Sequence, residues 1–279
     1  MFTGRDRHRE FDHGEEANGS QQTIGANAEK LCAARERITM SQTLSTVLAV
    51  ALLSLTVCGH YPAPIRSARD INRTSSSENM VVLVRLPLAD WPKLQKFAGL
   101  EHFSIAEEAA ATITDNHIEA LSRLKMPKLR QVSLAYCSNI TDRSLLALTN
   151  LESIQGLHLV GTRITDTRMQ ALATDFPNLR GINVEECQLL TVNGFLGLTN
   201  SKTITSVSLS FDPFSQGQIE TVFSTISNVI WWTISDPLHR LDLANLRQLG
   251  ESRRTTIQVV DENKLVTGIT TALTKRGGE

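Results

Sequence analysis

The sequence has no excess of charge of either sign after its first 58 residues. Residues 59–279 contain 22 Lys or Arg and 22 Asp or Glu, so their net charge gives no electrostatic reason to expect a nucleic-acid partner. The chain also lacks a glycine-rich phosphate loop, and no two histidines stand at metal-ligand spacing within a helix. We therefore expect neither a cofactor nor a metal site.

A 25-residue pattern runs through most of the remaining chain. Its clearest copies are LRQVSLAYC, IQGLHLVGT and LRGINVEEC, which begin at Leu129, Ile154 and Leu179. Each copy has apolar residues at positions 1, 4 and 6, followed by Cys or Thr at position 9. Further copies begin at Ile204, Val229, Arg254 and, after a longer interval of 29 residues, at Leu100. Seven copies at a nearly fixed period predict a solenoid, whose units bury their apolar faces against one another.

This pattern resembles the leucine-rich repeat family, whose LxxLxLxxN/C motif is matched from Leu129 to Cys137 and from Leu179 to Cys187. The Cys at position 9 and the Ile-Thr-Asp segments at 113–115, 140–142 and 164–166 resemble the cysteine-containing subclass found in F-box proteins and many bacterial proteins. The resemblance covers roughly residues 100–265 and implies an α/β solenoid, with a parallel sheet on its concave face and helices on its convex face. Position 9 departs from the motif at Asp212, Pro237 and Glu262, so we expect a degenerate C-terminal cap.

Each Ile-Thr-Asp segment precedes a helical stretch. Its Thr is predicted to cap the amide groups at the helix start, and its Asp adds a favourable charge there.

Cysteine is scarce, and two of the four cysteines lie in the repeats. Cys137 and Cys187 occupy the same position two repeats apart, which places them about 10 Å from each other. Bridged Cα atoms are rarely more than about 7 Å apart. We predict two buried, reduced thiols rather than a disulfide or a metal site.

Residues 38–59 carry no charge, and their apolar core LSTVLAVALLSLTV is typical of a secretory signal. The following Cys58, in Leu55-Thr56-Val57-Cys58-Gly59, resembles a bacterial lipobox cysteine, although Val57 stands where a small residue is usual. Cys58 is thus a lipidation candidate, and the predicted location is exported and membrane-tethered. An uncleaved anchor formed by 38–59 is the alternative. Met40 would start a signal of ordinary length, whereas Met1 supplies basic residues before it.

The domain organisation follows from these segments. Residues 1–39 are a disordered leader or result from a mis-assigned start, 40–59 form the signal or anchor, and 60–79 are expected to be a flexible tether because of their Pro, Ser, Arg and Asn content. Residues 80–99 are a candidate N-terminal cap, and 100–279 are the repeat domain of about seven repeats.

The concave face is predicted from positions 3, 5 and 7 of each copy, which are mostly small and uncharged. Ser133, His158 and Glu185 fall on adjacent strands, but no turn exposes the serine and no oxyanion site accompanies it, so we predict no catalytic residues. The partner-binding candidates are Tyr136, His158, Glu185, Glu186, Phe211 and Trp231. Two alternatives remain open: a one-residue register change that turns Trp232 outward, and a Phe211 that packs over the turn.

The sequence favours a non-enzymatic scaffold that presents its concave face to a protein or glycan partner at a membrane or cell envelope. A cytosolic adaptor similar to F-box repeat proteins is one alternative, although no F-box domain is evident before the repeats. An enzyme with an unrecognised site is the other.

Overall fold

Nine strands form one sheet in the order in which they occur along the chain. The computed structural model describes residues 64–261 and the backbone of 266–270. The first eight strands are parallel, and the last pairs antiparallel with its neighbour. The strands are β1 (Met80–Leu83), β2 (His102–Ile105), β3 (Gln131–Ser133), β4 (Gly156–His158), β5 (Gly181–Asn183), β6 (Ser206–Ser210), β7 (Trp231–Ser235), β8 (Thr256–Val260) and β9 (Val266–Thr270).

Short helices return the chain between parallel strands. They are α1 (Ala68–Arg73), α2 (Glu107–Ala110), α3 (Asp115–Ser122), α4 (Asp142–Leu148), α5 (Asp166–Asp175), α6 (Val192–Leu196), α7 (Gln216–Thr225) and α8 (Leu243–Arg253). Two 3₁₀-helices, Leu88–Lys96 and Gly197–Asn200, complete the described helices. The four extra residues between the first two copies belong to the stretch that contains α2, so the longer interval there is accommodated on the convex side.

The strand register follows the 25-residue period. Gln131 pairs with Gly156, Gly156 with Gly181, and Gly181 with Ser206. The residues at position 4 all enter the core with 1% exposure or less: Phe103, Val132, Leu157, Ile182, Val207, Trp232 and Ile257. Because side chains alternate between the two faces of a strand, positions 3 and 5 line the opposite, concave face. The predicted α/β solenoid and its strand register are confirmed.

The Ile-Thr-Asp segments join consecutive repeats as well as opening the helices. Asp142 accepts hydrogen bonds from the backbone N–H of Thr165 at 2.8 Å and from its hydroxyl at 2.6 Å. Asp115 binds Thr141 in the same way, at 3.0 and 2.7 Å, and Asp166 binds Thr191. The expected capping is present at Thr141, whose hydroxyl accepts from the N–H of Arg143 at 3.3 Å. The main role of these aspartates is therefore to link repeats.

The N-terminal cap begins earlier than the sequence indicates. Ile65 forms a bridge to Leu83 of β1 and is fully buried, and Ile71 of α1 is 1% exposed. The Lys96 ammonium donates to three carbonyls at the end of α1, those of Ile71, Asn72 and Thr74. The described part of the expected flexible tether thus differs from that expectation over 65–74, because its two isoleucines complete the core beneath β1 and the Leu88–Lys96 helix.

The leader lies outside the described residues, including Cys58 and the apolar segment 38–59. Among the helices that the structure describes, none combines the length and apolar character needed to cross a bilayer.

Candidate functional site

The concave face has the predicted register at its tryptophans. Trp232 is 1% exposed, whereas Trp231 lies half-buried on the concave face, where its indole N–H donates to the Thr233 hydroxyl at 3.3 Å. The alternative in which Trp232 turns outward is therefore excluded. Small residues surround this ring, since Ser206 pairs with Trp231 from one side and Thr256 from the other.

His158 lies at the middle of the concave face, between Ser133 of β3 and Asn183 of β5. Its Nε2 atom is buried and has no hydrogen-bond partner among the described residues. Burial lowers the pKa of His158 from 6.5 to about 4, because the surroundings disfavour the charged imidazolium. The ring is consequently neutral at physiological pH.

Glu185 does not present its carboxylate on the surface. The residue is 5% exposed, its N–H donates to Asn183 Oδ1 at 2.9 Å, and its Oε1 accepts from Asn183 Nδ2 at 3.3 Å. These bonds hold the chain as it leaves β5. Glu185 is therefore a structural residue of that turn and does not offer the exposed carboxylate expected of a partner-binding residue.

A row of left-handed residues follows the strands at position 8 of successive repeats. Tyr136, Gly161 and Glu186 have φ values of 62°, 66° and 59°, a region that L-residues other than glycine enter at an energetic cost. The N–H of Tyr136 donates to Val160 O at 2.6 Å, and that of Gly161 to Glu185 O at 2.9 Å. Each left-handed residue thus donates to the next repeat, which fixes the turn that follows the strand.

The side chains of this row differ in exposure. The Tyr136 ring is 44% exposed and extends over Gly161, where a Cβ would lie 3.2 Å from Tyr136 Cδ1. Glu186 is exposed, and its N–H donates to the Ser210 hydroxyl at 2.9 Å. Tyr136 and Glu186 stand two strand steps apart, about 10 Å. Together they form what we call the position-8 edge of the concave face.

Phe211, which occupies position 8 of the next repeat, packs into the protein. It is 5% exposed, and the Arg240 guanidinium lies 4.8 Å from its ring centroid while forming a salt bridge with Asp212. This arrangement agrees with the alternative in which Phe211 packs over the turn. Phe211 is not available as a surface anchor.

The structure therefore separates the six candidate residues. Tyr136 and Glu186 share one edge, and His158 lies on the face between the two edges. Trp231 is at the start of β7, four strands and about 19 Å from β3, whereas Glu185 and Phe211 are buried. Sequence reasoning missed the left-handed row as such, although Gly161 at position 8 of the central copy was its one available signal.

Both described cysteines are reduced and buried, as predicted. Burial raises the pKa of the Cys137 thiol to about 12 and also raises the pKa of Cys187. The Cys187 thiol donates to Leu159 O at 3.0 Å and lies 3.6 Å from the Thr162 hydroxyl. Protonated thiols of this kind act as small core residues and are poor nucleophiles.

Comparisons with known proteins identify the fold. No family model matches the chain, and no curated protein matches it. Among solved structures, the leucine-rich repeat-containing protein LegL7 from Legionella pneumophila is 12% identical, with a TM-score of 0.51, over 72% of this chain and 80% of that one.

Two further structures are more distant. A chain of the Rad7 and Elc1 complex in yeast is 17% identical with a TM-score of 0.47, over 74% of this chain. An internalin, InlF, from Listeria monocytogenes is 13% identical with a TM-score of 0.37, over 71% of this chain. The chain spans only 54% of the yeast protein and 59% of the internalin. With its parallel sheet, its returning helices and its likeness to LegL7, the described chain has the fold of a leucine-rich repeat solenoid.

Proposed function

We propose that this protein is a non-catalytic scaffold that binds a protein partner through the position-8 edge of its concave face. The observation that carries the proposal is the left-handed backbone of Tyr136 and Glu186. Gly161 lies between them in the same conformation without strain, so glycine satisfies the turn. Side chains that are retained in a strained conformation and exposed to solvent point to a role outside the fold.

The chemistry of this edge fits a protein surface. Tyr136 offers a large, partly exposed ring with a hydroxyl at its tip, the kind of side chain that commonly anchors interfaces. Glu186 adds a carboxylate about 10 Å away. A complementary partner therefore has an apolar pocket for the tyrosine and a basic group at that distance.

The arrangement around His158 supports binding rather than catalysis. A serine nucleophile needs a base within hydrogen-bond reach that is itself oriented by a third group. His158 Nε2 has no hydrogen-bond partner among the described residues, and its pKa of about 4 makes it a weak base at neutral pH.

Paired glycine substitutions test the site without disturbing the backbone. The immobilised full chain is used to isolate a partner from its source cells, and the affinity of the purified partner is then measured for Tyr136→Gly, Glu186→Gly and the double variant. The double variant is expected to bind at least about 30-fold more weakly, a loss of roughly 2 kcal/mol. Leu189→Ala is the matched control, since Leu189 is also exposed, at 47%, in the loop after β5.

Two results would move or remove the proposed site. Unchanged affinity in the double variant contradicts the position-8 edge. A loss confined to Trp231→Ala places the site at the other end of the concave face. Binding of a purified glycan in place of any protein favours the glycan alternative.

We also propose that the scaffold is exported and tethered to a membrane, through lipidated Cys58 or through the apolar segment 38–59. The support is the sequence of that segment alone. Cell fractionation with mass analysis of the mature N-terminus tests it: an acylated Cys58 is expected for the lipoprotein, and an uncleaved membrane-bound chain for the anchor. An intact soluble chain that begins at Met1 would contradict both and favour the cytosolic adaptor.

A further inference from the structure

The two edges of the sheet carry opposite charge. Because β1–β8 are parallel, the loops that precede the strands lie at one edge and the loops that follow them lie at the other. Up to the start of β8, the preceding loops contain seven Lys or Arg and three Glu, and the following loops contain three Arg and seven Asp or Glu. The neutral composition of the chain thus conceals a separation of charge across the sheet.

The edge where the strands begin, which we call the basic edge, is accessible. Its seven basic residues are all exposed, and none forms a salt bridge with another described residue. They are Arg123, Lys125, Lys128, Arg130, Arg180, Lys202 and Arg254.

Helix dipoles do not account for this arrangement. The helices end near the basic edge, and basic residues are favoured there, but the effect fades beyond the last turn of a helix. Arg130 follows the end of α3 by eight residues and Arg180 follows the end of α5 by five. Both arginines instead stand directly before strands, next to the concave face.

An exposed apolar residue lies in the same row. Ile230, directly before β7, is 56% exposed, and its loop lies between the loops of Lys202 and Arg254. From β3 to β8 the row extends over five strand steps, about 24 Å. A wide anionic surface that also accepts an apolar side chain matches this row better than a single small anion does.

We propose that the basic edge faces a bilayer surface containing anionic phospholipids. Lys and Arg side chains near such a surface are attracted to its headgroups, while Ile230 enters the headgroup region. This orientation turns the opposite edge, with Tyr136 and Glu186, away from the membrane. The proposal concerns a different edge from the proposed partner site, so each can fail without the other.

Vesicle sedimentation of the full chain tests the proposal. Vesicles of phosphatidylcholine alone are compared with vesicles that also contain phosphatidylglycerol, so that any insertion of the apolar leader contributes to both. The wild-type chain is expected to prefer the anionic vesicles, and added salt should reduce this preference. Arg130→Gln with Arg180→Gln is expected to lower the preference about 10- to 30-fold, since each residue contributes roughly one kcal/mol.

The matched control removes two exposed arginines from the opposite edge, as Arg85→Gln with Arg163→Gln. It has the same net charge as the test variant and is expected to retain the preference for anionic vesicles. Equal losses in both variants, or no preference in the wild type, would overturn the proposal. So would binding to soluble polyglutamate without binding to anionic vesicles, which assigns the edge to an acidic protein segment. Wild-type-like circular dichroism of both variants is checked first.

Discussion

The hydroxyl of Thr165 donates a hydrogen bond to Asp142 Oδ2 at 2.6 Å, across the boundary between two repeats. The backbone N–H of the same threonine donates to Oδ1 at 2.8 Å, so both carboxylate oxygens are engaged. Equivalent bonds join Asp115 to Thr141 and Asp166 to Thr191. In a solenoid, where a unit contacts only its neighbours, such bonds stabilise the interface on which cooperative unfolding depends.

Replacing Asp142 with Ala should lower the free energy of unfolding by about 1–3 kcal/mol, because two charge-assisted hydrogen bonds are lost. Urea unfolding followed by circular dichroism measures this change. Glu152→Ala is the control, since this exposed carboxylate accepts no hydrogen bond in the described structure, and its effect should stay within about 0.5 kcal/mol. A double-mutant cycle with Thr165→Val isolates the bond from the effect of charge near the helix start. Additive single effects would show that the inter-repeat bond contributes nothing.

The sequence was sufficient to predict the strand register because side-chain alternation and a fixed period are local properties. Trp231 and Trp232 illustrate this, since the period alone assigns the first to the concave face and the second to the core. The Asp142 to Thr165 bond was not predicted, because it depends on how closely two repeats stack. Phe211 likewise could not be assigned, because Arg240, which covers its ring, lies 29 residues further along the chain.

A second prediction concerns the packing of neighbouring helices. A Cβ added at Gly197 would lie 2.4 Å from the Cα of Gln170 in α5, so Gly197→Ala should destabilise the protein by about 1–3 kcal/mol. Gly217, in α7, has no atom within 4 Å of an added Cβ, and Gly217→Ala should stabilise it by up to about 1 kcal/mol. Thermal unfolding of both variants measures the difference. Similar shifts of the same sign would contradict the close approach at Gly197.

His158 should make stability depend on pH. Burial lowers its folded-state pKa from 6.5 to about 4, so between these values the unfolded chain binds more protons than the folded one. The free energy of unfolding is therefore highest above about pH 6.5 and falls as the pH is lowered toward 4. This contribution amounts to about 1–3 kcal/mol.

His158→Leu should reduce this slope, as measured by urea unfolding between about pH 7 and pH 5. Some slope should remain, since burial also lowers the pKa of His102 and His117. His239→Asn serves as the control because His239 is exposed, and asparagine tolerates the left-handed backbone found there. An unchanged slope in the His158 variant would indicate that the imidazole is not buried in the neutral form.

The position-8 edge gives the last prediction, in which stability and binding change in opposite directions. Glu186→Gly should raise the free energy of unfolding by about 0.5–1 kcal/mol, because glycine removes the left-handed strain and offsets its own entropic penalty. Gly161→Ala, at the equivalent position, should lower it by about 1–2 kcal/mol and also crowd Tyr136 Cδ1. Urea unfolding measures both variants. If Glu186→Gly destabilises the protein, its carboxylate supports the fold, and the retention of a strained side chain no longer argues for a partner.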